Sequence, residues 1–309
     1  MKPIYQREPL FKVNLDVLSI NPNAIPILEM FEDELDMDIL AQNPYAIHMI
    51  KRNLHKLSFS GWYCLSTNRN AISILRENID KIHPHGISKN KNGIEILKDY
   101  PHLIDWDIFS KHPDAIPFLK ENMDKINWSH LNLNPNGIEM LEKNPDHLKW
   151  NYISSNINAL PLLEKYPIYR NWKLLSMNEN AIPLLLKTPN KIYWRYFSAN
   201  PNAPLSLVKQ NLDKINWSYA CTNPNLISII EENWDKIEEI DKKLFLAINE
   251  NAIHLFYKLN YEEMKKKNFQ LKFELNQYVC HPDRILNLIK NYNISFKEYL
   301  IDILKNDEI

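Results

Sequence analysis

The stretch Asp124-Lys125-Ile126-Asn127-Trp128-Ser129-His130-Leu131-Asn132-Leu133-Asn134-Pro135-Asn136-Gly137-Ile138-Glu139-Met140-Leu141 decides the fold, because versions of it return along the chain. With the first Asn of Asn-Pro-Asn as anchor, copies fall at Asn21, Asn43, Asn68, Asn90, His112, Asn134, Asn156, Asn178, Asn200, Asn223, Asn249 and His281. Seven of the eleven steps are 22 residues long. A fixed period in this range signals a repeat architecture, in which each unit buries its apolar side on its neighbours.

Each copy reads as two short helices. Asn136 has N-cap chemistry and Glu139 stands at capping-box spacing, a pair repeated by Asn92 and Glu95. Elsewhere Pro26, Pro117, Pro161 or Pro183 takes the Glu position, which a first helical turn tolerates. Ile138, Met140 and Leu141 supply the buried side, and Asn144-Pro145 stops helix A. Helix B follows Asp-Lys-Ile-Asn-Trp, with Asp105, Asn127, Asn171 and Asn216 as its caps. Trp62, Trp106, Trp128, Trp150, Trp172, Trp194 and Trp217 precede their anchors by six residues. Three residues further on stand Leu65, Phe109, Leu131, Ile153, Leu175, Phe197 and Ala220, on the same helical face. A 22-residue period also suits a leucine-rich repeat. That motif needs a Leu-x-Leu strand, and the helix-cap pattern here disfavours it.

The resulting expectation is an all-α solenoid of about twelve two-helix repeats, roughly 100 Å along its contour at 8–10 Å per repeat. Residues 1–20 read as an N-terminal half-repeat cap, 21–256 as the array, and 257–309 as a degenerate repeat with a C-terminal helical cap. The step from Asn43 to Asn68 is 25 residues and implies an insertion near Leu57 to Gly61. Beyond Asn223 the period slips and Trp234 leaves register.

Composition excludes several classes. Hydrophobic residues make up 45% of the 309, and 37 basic side chains balance 38 acidic ones for a net charge of −1. That profile fits a folded protein without a global pull toward nucleic acid or anionic membrane. Cys64, Cys221 and Cys280 are too few and scattered for a disulfide framework, which favours a reducing compartment. The first residues lack a signal peptide's apolar stretch, and no run is long enough to span a bilayer. A cytoplasmic monomer is expected.

The phrase Asn-Pro-Asn-Ala-Ile-Pro, as at Asn21 to Pro26, alternates with Asp-Lys-Ile-Asn-Trp, as at Asp124 to Trp128. From about Leu15 to Leu288 this pattern resembles the short repeats of paralogous proteins from giant viruses. The resemblance implies origin and architecture, with a host-cell cytoplasmic or virion location. It carries no catalytic residue set and no cofactor.

The repeated residues are assigned to folding: Trp to the core, Asn to caps and turns. The serines two residues before seven of the anchors, Ser19, Ser66, Ser88, Ser110, Ser154, Ser176 and Ser198, read as spacers that allow close packing or bond a backbone carbonyl. The position after each Trp changes chemistry from copy to copy: Tyr63, His85, Asp107, Ser129, Asn151, Lys173, Arg195 and Ser218. These eight form the candidate binding stripe. A plain solvated face is the competing reading. The stripe is not basic enough for a one-base-per-repeat RNA reader. His83-Pro84-His85 reads as loop histidines in a degenerate copy rather than metal ligands, and Cys280-His281 lacks a third group for nucleophile chemistry. A non-catalytic protein-binding scaffold is the expected function, with nucleic-acid binding as the alternative. No metal and no cofactor is expected.

Overall fold

The structure is a computed structural model that describes residues 5–9, 14–260, 263–264 and 266. The chain divides into two compact units, residues 7–258 and residues 1–6 with 259–309. The copy at His281 and the C-terminal cap lie outside the described residues. Apart from a pair of strands, Tyr5–Pro9 and Tyr257–Leu259, the described fold is all-α.

Within residues 7–258, eleven anchors from Asn21 to Asn249 each separate a B helix from an A helix. The B series opens with Leu15–Ser19, Met37–Leu40 and Phe59–Thr67. The A series opens with Ile25–Leu28, Ile47–Arg52 and Ile72–Arg76. Most repeats also carry 3-10 turns, a third element absent from the sequence reading. One commonly follows the anchor, as Pro113–Ala115 does, and another joins A to B, as Pro145–His147 does. The 25-residue step is absorbed by a B helix of nine residues, Phe59–Thr67.

Helices this short are unstable alone and depend on packing. The residue three before each anchor forms an unbroken buried row: Leu18, Leu40, Leu65, Ile87, Phe109, Leu131, Ile153, Leu175, Phe197, Ala220 and Leu246. Three residues after the anchor the position is small and buried in most repeats, as at Ala24, Ala46, Ala71 and Ala115. The Trp row needs a correction. Only Trp62 is buried, at 8% exposure, while the others are half-buried. They form the lid of the core, and several are roofed by the next repeat. Lys81, Lys125, Lys214 and Lys236 lie 4.8–5.6 Å from the rings of Trp62, Trp106, Trp194 and Trp217. His147 and Tyr169 stack on Trp128 and Trp150 at 4.0 and 4.3 Å.

The anchors are buried polar side chains with every hydrogen bond made. Asn178 Oδ1 accepts the Asn180 N–H, and its Nδ2 donates to Ser154 O and Asn156 O of the preceding repeat. Asn43, Asn68, Asn90, Asn134, Asn156, Asn200, Asn223 and Asn249 repeat the same three bonds. The cap is therefore the anchor itself, two residues earlier than the sequence reading placed it. Asn136 instead rivets repeats together, its Nδ2 donating to Pro113 O, and Glu139 pairs with Lys143.

The ladder has no free end. Asn21, in the first repeat, donates to Ala247 O and Asn249 O of the last, and Asn23 donates to Glu250 O. Residues 7–258 thus close into a ring of eleven repeats, each turning the path by about 33°. The first and last repeats of this unit are thus neighbours, as any interior pair is. The B helices line its inner circumference. The close helix pairings between repeats are B to B, such as Met37–Leu40 with Phe59–Thr67 and Phe59–Thr67 with Pro84–Lys89. On a closed circle the inner arc is the shorter one.

Candidate functional site

The inner wall is built by the exposed faces of the B helices. Serine sets their spacing by bonding in two directions. Ser154 Oγ donates to Trp150 O one turn back and accepts the Asn171 N–H of the next repeat. Ser110, Ser176 and Ser198 do the same, and Asn132 replaces serine with equivalent bonds. The caps expected for helix B are present: Asp105, Asn127, Asn171 and Asn216 accept from the backbone three residues on.

The eight stripe residues form one row on this wall, and each reaches forward to the following repeat. His85 Nδ1 lies 2.9 Å from Asp105 Oδ2. Asp107 accepts from Asn127 Nδ2, Ser129 pairs with Lys149, and Asn151 accepts from Asn171 Nδ2. Lys173 Nζ sits 5.0 Å over the Tyr196 ring and Arg195 sits 5.2 Å over Tyr219. Ser218 donates to Asp241 at 2.7 Å, and Tyr63 is edge-on to His83 at 5.0 Å. The stripe is a lacing between repeats as well as a surface. Sequence reasoning missed the partners, Asp105, Lys149, Tyr196, Tyr219 and Asp241. Their signal was complementary chemistry at separations of 20 to 24 residues, one repeat on.

The wall has two chemical arcs. Asp16, Asp36, Asp38, Asp105 and Asp107 make one acidic, and Lys149, Lys173 and Arg195 make the other basic and tyrosine-rich. Burial pushes the Asp38 carboxyl up, but the Ser58 and Ser60 hydroxyls and the Ser58 and Gly61 N–H groups hold it below its usual value. The Tyr196 phenol holds the Lys173 ammonium above its usual value by hydrogen bonding.

A third surface lies on the A-to-B turn Pro167–Tyr169. Tyr166, Ile168 and Tyr169 are 37%, 86% and 48% exposed, and both tyrosines pack against Trp150. This apolar turn replaces the Asp-Lys found at Asp124-Lys125, a substitution visible in the sequence once the turn's place is known.

His83 is the non-helical N-cap of the helix Pro84–Lys89, whereas His85 lies within that helix and not in a loop. Among the described residues no group of three or more His, Cys, Asp or Glu is placed to hold a metal ion. Cys280-His281 lies outside the described residues. No helix among those described is long and apolar enough to cross a membrane. Comparison with protein families, curated proteins and solved structures finds no match to the chain.

Proposed function

We propose that the protein is a non-catalytic scaffold that docks a protein partner through the turn Tyr166-Pro167-Ile168-Tyr169. The observation that carries this reading is Ile168, 86% exposed between two half-exposed tyrosines on a rigid turn. Clustered apolar and tyrosine surface of this kind marks protein interfaces. The turn's base is fixed by the Trp150 stack, so little ordering entropy opposes docking. The resemblance to giant-virus repeats makes a host or virion protein the partner to seek. Crosslinking pull-downs from infected cells with wild type and Ile168→Asp/Tyr169→Ser test it. A partner retained by wild type and lost by the variant supports the reading, whereas identical retention defeats it.

The second reading, binding of single-stranded nucleic acid, rests on the tyrosine-rich basic arc. Stacked Tyr and Arg side chains suit bases and phosphates. Steeply salt-dependent RNA binding that is lost in Lys173→Gln/Arg195→Gln would replace the first reading with this one.

A further inference from the structure

The residues just before and just after each anchor lie on the B-to-A turns, which together form one rim of the ring. Around that rim they are uncharged, or acidic at Glu179 and Glu250, except in three successive repeats that carry Arg69, Lys89, Lys91 and Lys111. Lys89, Lys91 and Lys111 line a cavity of about 140 Å³ between two adjacent turns, together with Ser88, Ile108, His112 and Pro113. No carboxylate lines it. The nearest in sequence, Asp114, lines the adjoining groove with Pro117. No ion pair joins Arg69 or these three lysines to a described residue, whereas Arg76 and Lys98 nearby are paired with Asp99 and Glu95.

Both ring nitrogens of His112 are bonded to backbone groups. It stands where ten other repeats place Asn, with Nε2 donating to Asn90 O at 3.1 Å and Nδ1 accepting the Asp114 N–H at 3.2 Å. The cavity is thus a concave slot whose charged lining residues are all lysines. Lysines that line one space repel one another, and an anion bound among them offsets the repulsion while accepting charge-assisted hydrogen bonds. At about 30 Å³ per water, the slot has room for about four waters that a bound anion would displace.

We propose that this slot is a binding site for a diphosphate group, held by Lys89, Lys91 and Lys111. The group belongs either to free pyrophosphate or to a nucleoside diphosphate. The proposal is independent of the docking turn, which lies on other repeats. Its test is isothermal titration calorimetry of the full chain at low ionic strength with inorganic pyrophosphate, ADP and orthophosphate. Wild type is expected to bind pyrophosphate at least about tenfold more tightly than orthophosphate, because only the diphosphate engages all three ammonium groups. Lys89→Gln/Lys111→Gln is expected to weaken it by about tenfold or more with an unchanged unfolding midpoint, while Lys98→Gln, outside the slot, leaves it unchanged. Tighter binding of ADP than of pyrophosphate, lost in the same variant, supports a nucleotide source; the reverse order supports the free anion. If the double variant does not fold, Lys91→Gln alone carries the same expectation. No heat with wild type, equal affinity in the variant, or a single-stranded oligonucleotide that binds where pyrophosphate does not would each overturn the proposal.

Discussion

At the scale of the residue, the anchor asparagine does three jobs with one amide. It caps the turn that starts its own repeat and clamps two carbonyls of the repeat before it. A buried amide with all three bonds made is stabilising, and truncating Asn178 takes a donor from the buried Ser154 carbonyl and leaves the Asn156 carbonyl only the Ala159 N–H. Asn178→Ala should therefore lower stability by about 2–4 kcal/mol, read as a lower urea midpoint at constant slope. The sequence showed that Asn recurs. It could not show which Asn of Asn-x-Asn is the cap, because both have the same local propensity and only the neighbouring repeat tells them apart. Cys221 gives a second test. Burial, with a smaller push from Asp241, raises its thiol to about 12 against an ordinary value of 9.0, and Lys242 opposes the shift. Between those pH values the folded chain keeps a proton that the unfolded chain releases, so stability falls as pH rises, by at most about 1.4 kcal/mol per pH unit. Cys221→Ala should flatten that alkaline loss without disturbing packing, since Ala247 fills the same slot in the next repeat. Equal slopes for both proteins in denaturation series from pH 9 to 12 would exclude the thiol as a contributor.

At the scale of the element, the two helices per repeat were legible because apolar spacing, caps and proline breaks all agree. The 3-10 turns were not, since Pro-Asp-His and Pro-Ile-Tyr are equally compatible with a plain loop until packing tightens them. The eight-residue stripe was legible as a row, but its pairing across repeats was not. Such pairing depends on how far one B helix advances past the next. That advance is fixed by close approach: a Cβ on Gly86 would fall 2.6 Å from Ser66 Cβ and 2.9 Å from Tyr63 O. Alanine there gains roughly 1 kcal/mol of helix propensity. It must nonetheless push two B helices apart against backbone that cannot yield locally. Gly86→Ala is expected to destabilise by about 1–3 kcal/mol net, measured by the same denaturation. A stabilised variant would mean that the inner wall is looser than its geometry implies.

At the scale of the whole ring, closure changes what an end is. In an open solenoid the first anchor would face water and its loss would be nearly silent. Here Asn21 makes the same three bonds as an interior anchor, two of them to the last repeat. Asn21→Ala should therefore cost as much as Asn178→Ala, within about 0.5 kcal/mol. A near-neutral Asn21→Ala would show that the ring is open in solution. Closure also distributes stability, because no terminal repeat of residues 7–258 is left with one unpaired face. The sequence by itself determined the period, the all-α class, the helix B caps, the proline breaks and the identity of the buried row, because each is a local pattern repeated often enough to be read. Only the tertiary structure decided that the array closes at eleven repeats, that the Trp row is lid rather than centre, and that three lysines meet at one slot. Closure is the sum of eleven small rotations, and convergence of side chains depends on that sum. No single repeat encodes it.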